Sequence, residues 1–312
     1  MKENREPLLE VNGLSVSFRM YERGMRQKDL KVISDLSVTV NSGEILAVAG
    51  SSGSGKSLLA HAVLGLLPKN ASVSGEMRYG GRLLDEGRQK KLRGTEIALI
   101  PQSVAYLDPL MQVGNQARGA DKSPERAARQ KAAFKRLDLM PRTEKLYPFQ
   151  LSGGMARRVL FSTAIVTGAR LVIADEPTPG MHIDQALEAL SMLRELADSG
   201  KGVILITHDI DLALGFADKI AVFYAGTTVE ETPAADFLIG PEALRHPYSK
   251  ALCRALPQNE CLPIEGFQPY AGDLPPGCLF APRCPLKTKA CERENPPMRD
   301  LRGGTVRCVH AT

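Results

Sequence analysis

The sequence has no tryptophan, few aromatic residues and no long apolar run. Aromatic residues make up 5% of the 312 residues, and the longest apolar candidate, residues 58–67, is interrupted by His61. A membrane-spanning helix needs about 20 apolar residues, so the sequence predicts no span. Residues 1–7 are polar and charged without an apolar stretch behind them, which is unlike a secretory signal. We therefore expect the chain to stay in the cytosol.

Neither sign of charge dominates the chain. The 40 basic residues exceed the 35 acidic residues by a net charge of +5, and no stretch is dense in Lys and Arg. A basic arm for nucleic acid is therefore excluded, and we expect no nucleic-acid partner. Hydrophobic residues at 43% and charged residues at 24% are typical of a compact globular protein. The length allows one large domain with an appendage, or two modest domains.

Cysteine is absent from the first 252 residues, and all six cysteines fall in the last fifth of the chain. In a reducing compartment such a cluster favours metal binding over disulfides. Four of them, Cys278, Cys284, Cys291 and Cys308, are spaced C-x5-C-x6-C-x16-C. This number suits a four-cysteine site for zinc or for an iron–sulfur cluster, and spacing alone does not choose. The alternative for the whole set is structural free thiols. We interpret the remaining Cys253 and Cys261 as small buried or incidental residues.

Short alternating runs open the chain. Residues 8–18 and 33–40 alternate β-branched and polar residues, which predicts an antiparallel sheet. Residues 44–49 form a continuous apolar run that enters a Gly/Ser loop, and residues 57–67 follow a helical pattern stopped by Pro68. Strand, glycine loop and helix make a βα unit.

Two further buried-strand runs, residues 171–174 and 202–207, flank a helical stretch at residues 183–196. This alternation predicts a parallel α/β core. Helix formers dominate residues 95–167 and predict a helical insertion. After residue 240 the character changes to Pro, Cys and loops, so we predict a nucleotide-binding domain at residues 1–240 and an extension at residues 241–312.

Residues 50–57 read G-S-S-G-S-G-K-S and match the phosphate-binding pattern G-x-x-x-x-G-K-[ST] completely. Glycines allow successive N–H groups to curl around the β-phosphate at a helix N-terminus. Lys56 would reach the β/γ oxygens, and the Ser57 hydroxyl would ligate Mg²⁺. The alternative is a glycine-rich turn before a helix. The predicted ATP contacts are Gly50, Ser51, Gly53, Ser54, Gly55, Lys56 and Ser57.

Residues 171–176 read L-V-I-A-D-E, an apolar strand that ends in two carboxylates. This arrangement would place Asp175 near the Mg²⁺ shell and Glu176 next to the attacking water, as the general base. The alternative is a charged strand terminus that faces solvent.

Residues 151–155, L-S-G-G-M, stand at the start of a predicted helix and resemble the signature of ATP-binding cassette (ABC) transporter ATPases. The resemblance implies that Ser152, Gly153 and Gly154 face the γ-phosphate of a nucleotide held by an opposing subunit, at a helix N-terminus. ATP would then bind between two cassettes. By itself, the motif could be a simple helix cap.

Other residues match the family in the same order along the chain. The resemblance implies that Gln102 senses Mg²⁺ and couples to a membrane partner, and that His208 contacts the γ-phosphate. Phe18 is the best match for the aromatic residue that stacks on adenine, with Tyr21 as competitor. The implied catalytic residues are Glu176, His208 and Gln102, and the implied Mg²⁺ ligands are Ser57, Gln102 and Asp175.

One departure from the family follows the carboxylates. The loop between the two nucleotide sites usually ends in Leu-Asp, whereas residues 179–182 read P-G-M-H and place His182 at the Asp position. Asp184 could substitute only if the loop is rearranged. ATP binding remains expected, but equal hydrolysis at two composite sites does not. A regulatory subunit with little catalysis is therefore one alternative.

The end of the chain is similar to the C-terminal extension of ATPases from dipeptide, oligopeptide and nickel importers. The similar stretches are H-P-Y-S at residues 246–249, L-P-P-G-C at residues 274–278 and F-A-P-R-C-P at residues 280–285. The resemblance implies a structural [4Fe–4S] cluster on Cys278, Cys284, Cys291 and Cys308, with Zn²⁺ as alternative. We expect that Cys278→Ser would loosen this extension and spare ATP binding at a distant P-loop.

The resemblance thus implies an α/β P-loop NTPase cassette with a parallel core sheet, an antiparallel N-terminal β-subdomain, a helical insertion and a small Cys-rich extension. It implies an ATPase with ATP and Mg²⁺ as cofactors, peripheral on the cytoplasmic face of the inner membrane. The implied partners are a second ABC ATPase in a heterodimer, two transmembrane permeases and an extracytoplasmic solute-binding protein. Peptides, nickel and related solutes stay open, as does a soluble ABC ATPase that acts on nucleic acid or ribosomes.

Overall fold

The computed structural model describes residues 6–21 and 27–312. Its strands are β1 (Pro7–Tyr21), β2 (Gln27–Asn41), β3 (Ile45–Gly50), β4 (Ala71–Tyr79), β5 (Arg82–Leu83), β6 (Ile97–Ile100), β7 (Leu171–Asp175), β8 (Gly202–Ile206), β9 (Lys219–Tyr224), β10 (Thr227–Pro233), β11 (Arg299–Leu301) and β12 (Gly304–Val306). Its α-helices are α1 (Lys56–Leu64), α2 (Glu86–Leu92), α3 (Val113–Arg118), α4 (Pro124–Arg136), α5 (Gly153–Thr167), α6 (Ile183–Asp198), α7 (Ile210–Leu214), α8 (Ala234–Ile239), α9 (Pro247–Arg254) and α10 (Lys289–Arg293).

The main sheet has the strand order β11-β12-β10-β9-β3-β8-β7-β6. Its pairs from β9 to β6 are parallel, and β10, β12 and β11 add an antiparallel edge. Every residue of β3, β7 and β8 is buried, because both faces of a parallel sheet are covered. The predicted parallel core is confirmed, within a mixed sheet.

The N-terminal sheet is antiparallel, with the order β2-β1-β4-β5. Its register pairs Val11 with Val38 and Leu14 with Leu36, and all four side chains are buried. The predicted antiparallel opening is confirmed, and both strands run further than the alternating pattern indicated.

Two hydrophobic cores cover the two faces of the main sheet. In β3, Ile45, Ala47 and Ala49 pack on the helical side, whereas Leu46 and Val48 pack toward the N-terminal sheet. Successive side chains of a strand point to opposite faces, so β3 is held from both sides. This packing fixes the strand end at which the glycine loop begins.

The helix after the glycine loop is shorter than predicted. It ends at Leu64 because Gly65 takes a left-handed conformation, with φ 64°, and its N–H bonds to the Ala62 carbonyl. Pro68 lies beyond this end, so the prediction that Pro68 stops the helix is wrong.

The predicted helical insertion at residues 95–167 also needs correction. It contains β6, which pairs with β7 in the main sheet, with Ile97 opposite Leu171. Four apolar residues followed by Pro101 are too few for a helix and suit a buried strand. The α-helices of this segment begin at Val113.

The C-terminal extension, residues 241–312, does not build a sheet of its own. Its strand β12 pairs with β10, with Glu230 opposite Val306. The boundary after residue 240 thus lies within one continuous main sheet, and its status as a domain boundary stays a prediction. In the ranges 6–21 and 27–312, no helix has both the length and the apolar character of a membrane span.

Candidate nucleotide-binding site

The glycine loop connects the carboxyl end of β3 to the start of α1. Gly50 has φ 154°, and a Cβ there would lie 2.3 Å from the Phe223 carbonyl oxygen. Gly55 caps α1 with φ 93°, a conformation that other residues rarely adopt. These positions therefore require glycine, as the motif predicts.

Lys56 is folded into this loop. Its Nζ donates hydrogen bonds to the carbonyl oxygens of Gly50, at 2.8 Å, and Ser51, at 3.0 Å. Burial lowers the pKa of Lys56, and the carboxylates of Glu176 and Asp175 oppose that shift. The ammonium thus lies at a loop whose geometry suits phosphate, where an added anion would stabilise its charge.

Ser57 and Asp175 are brought together by α1 and β7. The Ser57 hydroxyl donates to Asp175 Oδ1 at 3.1 Å. Burial raises the pKa of Asp175, and the hydrogen bond from Ser57 opposes the shift. Carboxylate and hydroxyl oxygens are ligands that Mg²⁺ accepts together with phosphate oxygens and water. This pair could therefore hold Mg²⁺ beside the loop.

The three predicted catalytic side chains lie together, with Gln102 and His208 both close to the Glu176 carboxylate. Glu176 Oε2 accepts a hydrogen bond from Gln102 Nε2 at 2.8 Å, and Glu176 Oε1 lies 3.4 Å from His208 Nδ1. Glu176 has a left-handed φ of 46°, and its N–H donates to the Ile206 carbonyl at 2.8 Å. Backbone strain of this kind persists where the surroundings hold it, often at active sites.

Sequence reasoning missed Arg157 on α5. Its Nη1 donates to the Glu176 carbonyl at 3.0 Å, and its Nη2 donates to the Gln102 carbonyl at 2.9 Å. The planar guanidinium thus connects the backbones of the two segments that carry Gln102 and Glu176. The available signal was an Arg pair, residues 157–158, near the start of a largely apolar helix.

The signature residues lie at the start of the same helix. Ser152 is the N-cap of α5, and its Oγ accepts a hydrogen bond from the Met155 N–H at 3.3 Å. Ser152 and Gly153 are exposed. Among the described hydrogen bonds, none connects Ser152, Gly153 or Gly154 to residues 50–57, so contact with a nucleotide on an opposing subunit stays a prediction.

The candidate adenine contacts differ in exposure. Phe18 is partly buried against the core under the N-terminal sheet, whereas Tyr21 is 71% exposed. Tyr21 lines a cavity of about 180 Å³ together with Tyr270 of the C-terminal extension. Stacking of Phe18 on adenine stays a prediction, with Tyr21 as competitor.

The atypical loop places an exposed histidine at the start of α6. His182 is the N-cap residue, without a side-chain hydrogen bond to the helix, and its carbonyl accepts from the Ala186 N–H at 3.0 Å. Asp184 lies in the first helical turn and is also exposed. The acidic side chain therefore stands two residues further along the helix, and unequal nucleotide sites stay a prediction.

The C-terminal extension reaches the P-loop, so the expectation that the two are distant is wrong. Gln268 Oε1 accepts a hydrogen bond from the Ser51 hydroxyl at 2.5 Å. Sequence patterns could not indicate this contact, because 217 positions separate the two residues.

The four motif cysteines of the extension differ in burial. Cys291 and Cys308 are buried, and Cys278 and Cys284 are half-buried. Burial raises the pKa of Cys278, Cys284 and Cys308, and neighbouring thiols of the set raise it further. Across the described ranges, however, no three His, Cys, Asp or Glu residues are spaced to hold a metal ion. The geometry does not support the predicted [4Fe–4S] or zinc site, which stays a prediction.

The other two cysteines have ordinary surroundings. Cys253 is fully buried in the core on the helical side of the sheet, where its sulfur accepts a hydrogen bond from Asn259 Nδ2 at 3.3 Å. Cys261 is exposed. These positions agree with the interpretation of one as a small buried residue and the other as incidental.

Comparisons with known proteins agree with this geometry. The ABC transporter family model matches residues 33–179, and the oligopeptide/dipeptide transporter C-terminal region model matches residues 229–291. The Oligopeptide transport ATP-binding protein OppD of Salmonella typhimurium is 36% identical over 319 residues, which cover 96% of this chain and 92% of that protein. The Dipeptide transport ATP-binding protein DppD of Haemophilus influenzae is 34% identical over 320 residues, covering 96% and 94%.

Solved structures support the fold. A dimeric ATP-binding cassette in a post-hydrolysis state, bound to ADP and Pi, superposes with a TM-score of 0.64. The match is 24% identical and covers 72% of this chain and 98% of that chain. The part that superposes is thus the size of a whole cassette.

Proposed function

The chain belongs to the ABC transporter family, and from that premise we propose that it hydrolyses MgATP to energise peptide uptake through an importer complex. Its relatives are named for oligopeptide and dipeptide transport, which is the basis for peptides as the solute. The observation that carries the proposal is the convergence of Gln102 and His208 on Glu176, beside a complete P-loop.

The side chains divide the work as follows. The P-loop N–H groups and Lys56 bind the β- and γ-phosphates, and Ser57 with Asp175 would hold Mg²⁺, whose charge would offset that of the phosphates. Glu176 accepts the proton of the water that attacks the γ-phosphorus, while the bond from that phosphorus to ADP breaks. Gln102 and His208 hold Glu176 in position. Arg157 ties the backbones of Gln102 and Glu176 together, so that both move as one unit with α5.

The chain works with a second ABC ATPase. The exposed signature residues at the start of α5 would close on nucleotide bound by the partner, and a heterodimer accounts for the loop with His182 in place of aspartate. The two composite sites would then differ in hydrolysis.

Two permeases and an extracytoplasmic binding protein complete the complex. Exposed apolar side chains follow the segment of Gln102, with Tyr106 at 56%, Leu110 at 87% and Met111 at 42% exposure. Such a patch suits contact with a partner protein. We propose that the chain binds peripherally, at the cytoplasmic face of the inner membrane, because its relatives are named for transport.

Hydrolysis by the reconstituted complex tests this function. We expect vesicles that contain the complete complex to release phosphate faster when the binding protein carries peptide, and Glu176→Gln in this chain to remove most of that turnover. Undiminished turnover in the Glu176→Gln complex would favour the second candidate, a regulatory ATP-binding subunit, which the loop at His182 suggests.

The extension would carry a [4Fe–4S] cluster on Cys278, Cys284, Cys291 and Cys308, with zinc as alternative. The proposal is supported by the proximity of these thiols, since burial and then the neighbouring Cys291 and Cys308 raise the pKa of Cys278 and Cys284, and by backbone hydrogen bonds to sulfur, such as that from the His310 N–H to Cys308 at 3.4 Å. Donors of this kind stabilise cluster-bound thiolates. The metal would staple a loop-rich segment.

Metal analysis of anaerobically purified protein distinguishes the outcomes. A cluster gives about four irons per chain and a broad absorbance near 400 nm. One zinc per chain supports the alternative. Protein without either metal contradicts both.

A further inference from the structure

We propose that Gln268 of the C-terminal extension is a positioning residue that clamps the P-loop at Ser51 and thereby sets the affinity for MgATP. This inference rests on the proposed function, since it assumes that residues 50–57 bind ATP. None of the nucleotide motifs contains Gln268.

Gln268 joins three segments through one oxygen. Its Oε1 accepts from the Ser51 hydroxyl at 2.5 Å and from the Ala225 N–H at 3.2 Å. Ala225 lies in the tight turn between β9 and β10 and has a left-handed φ of 47°. The amide therefore ties the first turn of the P-loop to the end of the strand that flanks β3.

Tyr248 lies beside the same serine. Only 2% of Tyr248 is exposed. Burial raises the pKa of Tyr248, and the polar groups of the neighbouring Ser51 oppose that shift. A buried ring at this position limits the movement of Ser51.

The clamp is connected to Lys56, the predicted phosphate ligand, through the backbone of Ser51. The carbonyl of Ser51 accepts a hydrogen bond from Lys56 Nζ at 3.0 Å. Movement of Ser51 would therefore move an acceptor that places the ammonium. A loop fixed before the nucleotide arrives loses less conformational entropy on binding.

The clamp continues into the cysteine segment through aromatic packing. The ring of Tyr248 lies 4.6 Å from that of Tyr224 and 5.4 Å from that of Phe280, between centroids. Arg283 Nη1 donates to the Tyr224 hydroxyl at 3.3 Å. Phe280 and Arg283 lie between Cys278 and Cys284. A change in the conformation of that segment should therefore shift the aromatic rings that pack beside Ser51.

The test is equilibrium binding of a fluorescent ATP analogue, with Mg²⁺, to the full-length chain. Gln268→Ala should weaken binding by about 3- to 30-fold, as expected for one or two hydrogen bonds. The matched control is Gln258→Ala, another glutamine of the extension, whose side chain bonds to Asp211 and not to the P-loop. It should bind within twofold of the wild type.

Two further readouts separate positioning from folding. The double variant Ser51→Ala/Gln268→Ala should bind within about twofold of Ser51→Ala alone, because the shared contact is already lost. In the reconstituted complex, Gln268→Ala should raise KM for ATP and leave kcat within about twofold.

An affinity of Gln268→Ala within twofold of the wild type would overturn the clamp while leaving the proposed function intact. Additive losses in the double variant would also contradict it. If the wild-type chain does not bind MgATP, the proposed function itself fails, and the clamp with it.

Discussion

The nucleotide-binding core and the C-terminal extension are held together in different ways. In the core, every residue of β3, β7 and β8 is buried. In the extension, the longest helix has 8 residues and each strand has three, while Phe267 is 94% exposed and Tyr270 is 70% exposed. The extension lacks the apolar surface to form a comparable core.

Charged and aromatic contacts with the cassette hold the extension instead. The buried Arg245 pairs with Glu230 at 3.2 Å and with Asp236 at 2.8 Å. Arg307, 3% exposed, pairs with Asp35 of the N-terminal sheet at 2.7 Å. The core is therefore shaped by local hydrophobic patterns, whereas the extension takes its shape from long-range contacts. Substitutions in the two regions should therefore have different consequences.

The largest expected effect concerns catalysis in the core. Glu176→Gln should slow ATP turnover by roughly 10²–10⁴-fold and preserve ATP binding, because the amide keeps the shape but cannot accept a proton. Phosphate release by the complete complex measures it, and the exposed Glu125→Gln on α4 is the control. Near-normal turnover would mean that Glu176 is not the base, or that the partner's site performs most of the hydrolysis.

Removing the buried ion pair between Arg245 and Glu230 should lower the stability of the fold rather than the rate of ATP hydrolysis. Arg245→Ala leaves Glu230, 0% exposed, without its cationic partner, and should lower the free energy of unfolding by about 3–5 kcal/mol. Denaturant unfolding measures the loss. The control Arg254→Ala removes an exposed pair with Glu242 and should cost no more than about 1 kcal/mol. Equal losses of unfolding free energy in both variants would show that the buried pair stabilises the fold no more than the exposed pair does.

Loss of the P-loop ammonium should weaken nucleotide binding itself. Lys56→Ala should reduce MgATP affinity by about 10- to 100-fold, because hydrogen bonds from a charged group to phosphate are lost. Calorimetric titration of the purified chain measures this change. Lys90→Ala on the exposed face of α2 is the matched control and should bind normally. An unchanged affinity in Lys56→Ala would exclude Lys56 as a phosphate ligand.

The smallest effect tests whether the two regions are coupled. Cys278→Ser should release any bound metal, loosen the segment around Phe280 and weaken ATP binding by roughly twofold to fivefold, less than Gln268→Ala because the contact with Ser51 is indirect. Cys261→Ser, at an exposed position outside the motif, is the control. ATP affinity identical to that of the wild type would support independent regions.

The buried strands of the core, and the residues that gather around Glu176, were accessible to sequence reasoning because their signals are local. Apolar runs that end in P-loop or carboxylate residues predict buried strands, and the order of Gln102, Glu176 and His208 matches one family. The helix end at Gly65 and strand β6 were missed because a glycine stop and a four-residue strand are weak signals.

The remaining contacts depend on distant parts of the chain. Arg157 bonds to backbone carbonyls, which are present at every residue and leave no mark in the sequence. Gln268 lies in a loop without periodicity, and only the folded extension brings it to Ser51. Long-range contacts with backbone or loop partners are thus the part of the site that patterns do not predict.

The decisive measurement is uptake of a labelled oligopeptide by vesicles that contain the complete complex. We expect accumulation that requires MgATP on the side of the membrane where this chain is bound, and we expect it to be lost when this chain carries Glu176→Gln or Lys56→Ala. Uptake that proceeds without ATP, or that is undiminished in both variants, would contradict the conclusion that this chain supplies the energy for transport.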